Sequence, residues 1–482
     1  MKALDLEELT IAKLAPRIKK KEISPLRLTE LYLQRIEKLN PRLNAYLTAL
    51  EKEALAQAAE LDTEIQRGRY RGVLHGIPFS IKDNLAMKGV RTTAGTKVLS
   101  EWVPDFDATV VSRLREAGAI ILGKTNMHEW AKGSSGINEF YGPVHNPWNT
   151  DHATGGSSGG AAAALAASLC MASIGTDSAG SVRSPAALCG TVGLKPTLRR
   201  VSVFGGVPGT GGYSTNHFGI FTKTVEDAAL VLRQIAGHDP KDSLSSTEPV
   251  PNYSRAIGKS VNGMKAGVLR GYFEENMASE VKRAFTEAVK TLESLGMKSE
   301  EITIPHMDLI PAVQGCTSRA ESSSDHEPFL RTKPRDYSPS MLRTQIAALL
   351  VPAGTYVTAQ RVRRLICDEF DEALRRVDVL VAPSVPIPAH TLEESKRGIA
   401  EVDGRNLTLQ FFKGNLLTQC TILFNVTGLP AVSVCCGFSS KGLPIGLQIA
   451  GSSFGEEDIL QVAHAYEQEA GWYRRRPELG EQ

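Results

Sequence analysis

Apolar residues in this chain follow two rhythms. Between Leu6 and about Arg67 they return every three or four positions in a Leu/Ala/Glu/Lys-rich segment, which predicts a layer of amphipathic helices. Ser24 followed by Pro25 reads as an N-cap with proline at the first helical position. Leu28, Leu31, Tyr32, Ile36 and Leu39 then form one face, and Asn40-Pro41 is expected to stop the helix. From Gly72 onward short β-rich runs alternate with helical stretches: Ile77–Ile81, Ala119–Leu122, Gly267–Leu269, Val377–Ala382, Ala431–Cys435 and Ile445–Ile449. That alternation predicts an α/β fold, a central mixed and largely parallel twisted sheet covered by helices on both faces. Residues 241–263 and 322–340 are polar and aperiodic, and read as loops. One domain over 1–482 is expected: a helical layer over 1–67, a core over 72–230, a more variable helical and loop insertion over 241–400, and C-terminal strands and a helix over 420–470 returning to the core.

Composition narrows the function classes. With 482 residues and 42% hydrophobic content the chain is too apolar for disorder. Its 55 Lys+Arg against 53 Asp+Glu give a net charge of +2 with no basic block, so nucleic acid is not an expected partner. The first residues, MKALDLEELT, place acids among the leucines where a secretory signal needs a basic start and an apolar run. The longest apolar stretch, Ala161–Ile174, is broken by serine and falls short of the roughly 18 residues that span a bilayer. A cytoplasmic protein without a membrane partner is therefore expected. Seven cysteines without CxxC predict reduced thiols, and ten scattered histidines lack metal-ligand spacing. With no P-loop, GxGxxG, HExxH or EF-hand loop, neither metal nor cofactor is expected.

Three segments carry candidate chemistry. Thr154-Gly-Gly-Ser-Ser-Gly-Gly160 leads into the helix-forming run Ala161–Ser168; its glycines let the backbone take unusual dihedrals and come close to other groups. Next comes Gly175-Thr-Asp-Ser-Ala-Gly-Ser-Val-Arg-Ser-Pro185, where small residues at Ser178, Ala179 and Gly180 allow successive N–H groups to face one concavity suited to a developing oxyanion. Ser181 at its rim is then a candidate nucleophile, although a tight turn capped by serine fits the same residues. Upstream, Gly76-Ile-Pro-Phe-Ser-Ile-Lys-Asp-Asn84 sets Lys82 at the end of an apolar strand. Most lysines are solvated, but burial disfavours the ammonium and yields a neutral amine able to take a proton, and serine with lysine is a known alternative to serine with histidine. Fourteen glycines fall within the 65 residues from Gly155 to Gly219, on these loops.

With these segments in this order the chain resembles the amidase signature family. GKTNMHEWAKGSSG, YGPVHNPWN, GTVGLKPT, KTVEDAA, FNVTGLPAVSV and GLPIGLQIAG extend the likeness over nearly the whole chain. The resemblance implies a triad of Lys82 as base, Ser157 as bridging serine after a cis Gly156–Ser157 bond, and Ser181 as nucleophile. It implies an oxyanion hole from the N–H groups of Ser178, Ala179, Gly180 and Ser181, with Ser158, Asp177 and Arg183 bracing the loop. The activity implied is hydrolysis of a small amide, or of a carbamate (a urethanase activity), anilide, urea or ester, through an acyl-enzyme. By position Ala131, Gly133 and Ser134, residues 204–218 and residues 318–357 are expected pocket walls; Leu349, Leu350, Val351, Pro352 and Tyr356 in the last point to an aryl or alkyl acyl group. A homodimer is the default assembly.

Departures from the family pattern are Ala179 where glycine is usual, Ala161 after GGSSGG, and Ser214, Asn216, Gly219 and Ile220 where S-x-D-x-x-G-P is frequent. A competing member is the glutamine-hydrolysing component of tRNA-dependent amidotransferases, which releases ammonia and hands it to a partner. Its usual tyrosine/aspartate/glycine signature is missing from residues 322–343. A catalytically silent scaffold of this fold is the alternative of another class; it predicts loss of a triad residue, and all three are present.

Overall fold

The computed structural model describes residues 5–411 and 414–479. The N-terminal segment is helical, with α1 (Ile11–Lys19), α2 (Pro25–Leu43) and α3 (Glu51–Gln66). Ser24 caps α2 by accepting from Arg27 N, and Leu28, Tyr32, Leu33, Ile36 and Leu39 are its buried face. Asn40-Pro41 does not stop this helix, which continues to Leu43 and ends at Asn44 in the left-handed conformation. Proline removes only one N–H donor, and a helix this close to its end loses little by that.

Eleven strands form one sheet: β1 (Tyr46–Ala49), β2 (Pro78–Lys82), β3 (Ile120–Thr125), β4 (Ala172–Asp177), β5 (Val192–Lys195), β6 (His217–Thr222), β7 (Lys265–Arg270), β8 (Lys298–Thr303), β9 (Val379–Pro383), β10 (Ala431–Phe438) and β11 (Pro444–Ala450). Their spatial order is β1-β3-β2-β4-β6-β5-β10-β11-β9-β7-β8. The sheet is mixed and flanked by helices. Its parallel pairs gather in two blocks, β3-β2-β4 and β9-β7-β8, with antiparallel pairs joining them through the middle. β2, β3, β4, β6 and β9 are buried along their whole length, as strands covered on both faces must be.

Two helices frame the region that matters below. α4 (Gly159–Ala166) and α5 (Arg183–Cys189) each start directly after a glycine-containing loop and are buried almost throughout. Residues 322–340, expected as a loop, lie mostly in α6 (Ile310–Thr332), which is followed by α7 (Pro339–Ala348) and α8 (Ala353–Leu374). α6 has polar residues on its buried side, Gln314, Thr317, Ser322 and His326, so no apolar period marks it. Among the described residues no helix is long and apolar enough to cross a membrane.

Candidate active site

β2 ends at Lys82, whose side chain lies wholly inside the protein. Its Nζ is 2.7 Å from Ser157 Oγ and 2.9 Å from Thr176 Oγ1 on the neighbouring β4. Both partners are hydroxyls. Burial pulls the Lys82 pKa well below its ordinary value, and the Asp177 carboxylate opposes this only in part. Burial thus favours the neutral amine, the form a proton acceptor requires. Asn84, two residues on, donates to Thr176 Oγ1 and Thr210 Oγ1, each at 3.1 Å, and so holds the hydroxyl on the far side of Lys82.

Ser157 follows a cis Gly156–Ser157 peptide bond and is fully buried. Its neighbour Ser158 ties two loops together: the main-chain N–H donates to Ser181 O at 3.3 Å, and Oγ donates to Thr176 O at 3.3 Å. Ser181 is half-buried and lines a cavity of about 220 Å³. Its hydroxyl makes no hydrogen bond among the described residues, so the Lys82–Ser157 contact is formed and a Ser157–Ser181 contact is not.

The loop before α5 is organised around Asp177. Its carboxylate accepts from Gly180 N at 2.7 Å and Val182 N at 3.2 Å, and from the Arg183 guanidinium at 2.9 and 3.0 Å. Burial alone would raise the Asp177 pKa; the Arg183 charge and hydrogen bonds outweigh it and hold the group ionised. Arg183, itself fully buried, donates onward to Thr421 O, Gln448 Oε1 and Asn425 Oδ1. Asp177 and Arg183 thus brace the loop as expected of a buried pair whose remaining donors are filled.

The main chain of residues 178–181 is also held from outside. Gln314 Nε2 on α6 donates to Ser178 O at 2.7 Å, and Thr421 Oγ1 donates to Ala179 O at 2.8 Å. The N–H groups of Ser178, Ala179 and Ser181 have no acceptor among the described residues, while that of Gly180 is held by Asp177. Of the four donors expected to face an oxyanion, Gly180 is the one already engaged within the loop. Its own requirement is different: φ is +119°, and a Cβ there would stand 1.9 Å from Thr421 Oγ1.

The family profile described as Amidase matches residues 27–460. This chain belongs to the amidase signature family. Among curated proteins it is 40% identical to the A-type subunit of the glutamyl-tRNA(Gln) amidotransferase of Moorella thermoacetica, over 99% of this chain and 100% of that one. Among solved structures it superposes on a chain of a vestigial protein complex described as revealing the evolutionary origins of an s-triazine catabolic enzyme, with a TM-score of 0.89 at 31% identity, covering 96% of this chain and 99% of that one. The peptide amidase of Stenotrophomonas maltophilia gives 0.84 at 30% identity, covering 98% and 99%.

Ala131, Gly133 and Ser134 line the same cavity as Ser178, Ala179 and Ser181. Of the two longer wall segments, Thr210 and Gly211 come from the first, and Ser318, Arg319, Ser322, Thr344 and Gln345 from the second. The apolar run expected to shape the pocket does not reach it: Leu349 is 44% and Leu350 77% exposed, and Tyr356 instead bonds to Glu321. Two cationic side chains, Lys132 and Arg319, stand in the wall where only an apolar acyl site was expected. Gln314 enters it unannounced by any motif, because α6 crosses the loop only in three dimensions, and Lys132 enters it between the expected Ala131 and Gly133.

Proposed function

We propose that this protein hydrolyses a small amide, or a related carbamate, anilide or urea, through an acyl-enzyme on Ser181. The observation that carries the reading is a buried lysine, Lys82, hydrogen-bonded at 2.7 Å to Ser157 and paired with hydroxyls only. Neutral Lys82 takes the Ser157 proton as Ser157 takes that of Ser181, and the freed Ser181 oxygen attacks the carbonyl. The free N–H groups around Ala179 and Ser181 stabilise the oxyanion. Run backwards, the relay protonates the leaving amine; water then cleaves the acyl-enzyme with Lys82 again as base. The chemistry calls for no metal or cofactor, and a cytoplasmic location fits it. Ser181→Ala should lower turnover by about three orders of magnitude or more and abolish labelling by a fluorophosphonate probe. Near-wild-type turnover by that variant would sink the assignment.

A second reading, the glutamine-hydrolysing component of a tRNA-dependent amidotransferase, is favoured by the full-length 40% identity to one such protein and by others of that name at 37–40%. Sequence similarity speaks for it more strongly than for a stand-alone amidase; the cavity wall speaks against it. No carboxylate is among the described residues lining the cavity, so the ammonium group of glutamine has no ionic partner there. Glutaminase activity that appears only with partner proteins would decide for the second reading.

A further inference from the structure

The cavity beside Ser181 carries two cations and no acid. Lys132 lies in the wall between Ala131 and Gly133, and Arg319 stands at the rim on α6. Lys132 Nζ makes one hydrogen bond, to Ser318 Oγ at 3.3 Å, and Arg319 has no ion pair among the described residues. An ammonium group has three donors, and the half-buried Lys132 leaves two of them free to meet a ligand in the cavity. Two nearby acids do not fill them. Glu321 accepts from Ser214 N, Tyr356 Oη and Gln360 Nε2, and Asp325 accepts from Tyr213 Oη. These acids act on Lys132 through space, and burial still draws its pKa down to about 8, which leaves it charged at neutral pH. One further polar atom is waiting: Gln314 Oε1 is buried without a hydrogen-bond partner, while the same side chain holds Ser178 O.

We propose that this site takes amides whose acyl part ends in a carboxylate, with Lys132 and Arg319 holding the carboxylate and Gln314 Oε1 accepting an N–H of the scissile amide. The inference rests on the proposed hydrolysis for its meaning, but binding tests it separately. Lys132 is a specificity residue here, distinct from the reacting groups.

Three probes of nearly one size separate the contributions: glutaramate, the monoamide of glutaric acid; pentanamide, which lacks the carboxylate; and glutamine, which is glutaramate with an added α-ammonium. Calorimetric titration into the inert Ser181→Ala protein should give glutaramate binding at least ten-fold tighter than pentanamide, with glutamine weaker than glutaramate. Lys132→Met in that background should weaken glutaramate ten- to a hundred-fold and leave pentanamide unchanged, and Lys132→Arg should restore part of the loss. In the protein with Ser181 intact, Lys132→Met should raise KM for glutaramate far more than it lowers kcat. Equal affinity for glutaramate and pentanamide, binding of neither, or an equal loss of both with Lys132→Met would overturn the proposal. Binding without any turnover would instead leave this inference standing and remove the proposed hydrolysis.

Discussion

Two lysines on adjacent strands show how the same burial produces opposite outcomes. Lys82 ends β2 and Lys124 lies near the end of β3, and both are fully buried. The parallel register sets Lys124 beside Ile81 and Lys82 beside Thr125, so the pleat sends the two side chains to opposite faces of the sheet. Lys124 meets Leu85 O at 2.7 Å, Thr92 Oγ1 at 2.8 Å and the Asp83 carboxylate at 3.4 Å. Lys82 meets two hydroxyls. Burial lowers both pKa values, but Asp83 supports the Lys124 ammonium by direct contact, whereas Asp177 reaches Lys82 only through space while its own carboxylate is held by Arg183. In the function proposed above, the ion-paired Lys124 is a strut and Lys82, which meets only hydroxyls, is the base.

The strongest way to break this contrast is Lys82→Met. Turnover should fall by about three orders of magnitude or more if the proposed triad acts as a unit. The variant should melt no lower than the wild type, because methionine replaces a desolvated amine with an apolar group of similar length. Steady-state kinetics and thermal melting check both halves; a large loss of stability would mean that Lys82 is a strut after all.

The pH profile of the wild type tests the same base without mutation. Only neutral Lys82 accepts a proton, so kcat/KM should rise with pH through its lowered pKa and then level off, while Asp177, held ionised by Arg183, contributes no limb in the working range. Stability has the matching sign. Between the lowered folded pKa and the ordinary lysine value the unfolded chain binds the extra proton, so stability rises with pH across that window. An activity profile without an acid limb would contradict a lysine base.

Lys124→Met should behave the other way. It strands Asp83, which keeps only its Thr93 hydrogen bonds, and should cost about 3–5 kcal/mol of stability. Activity should fall only with the folded fraction, and adding Asp83→Asn should return part of the lost stability. Denaturant unfolding of the single and double variants measures this, and full stability in Lys124→Met would remove the distinction between the two lysines.

How much of this was legible from the residues differs between strand and site. The six strands expected from the pattern are compact β-rich runs, and all six lie in the sheet. β4, β5 and β6 escape such a pattern because Ala172-Ser-Ile-Gly-Thr-Asp177, Val192-Gly-Leu-Lys195 and His217-Phe-Gly-Ile-Phe-Thr222 mix glycine and polar residues into strands whose small side chains leave room for the loops packed on them. Gly175 is such a place: a Cβ there would sit 2.9 Å from Ser158 Oγ. Lys82, Ser157 and Ser181 are readable because each stands in a local motif. The contacts of Thr176, Gln314 and Lys132 are not, although Thr176 and Lys132 stand in such motifs too, because they come from what β4, α6 and the 131–134 wall meet in space. The polar buried face of α6 likewise resembles a loop until it is seen against the cavity.

The smallest expected effect, and the one that sharpens the comparison most finely, is Thr176→Val. Valine keeps the shape of threonine but removes the hydroxyl that lies 2.9 Å from Lys82 and 3.1 Å from Asn84. Lys82 then keeps Ser157 alone and is further desolvated, so its pKa should fall again and the acid limb of the kcat/KM profile should move to lower pH by less than about one unit. Turnover on the plateau should drop only severalfold, since the Lys82–Ser157 contact at 2.7 Å is untouched. If the limb moved to higher pH instead, Thr176 would be working against the ammonium by donating its proton to the neutral amine. Lys82 would then be tuned by its hydroxyl partner as well as by burial, in the direction opposite to that in which Asp83 tunes Lys124.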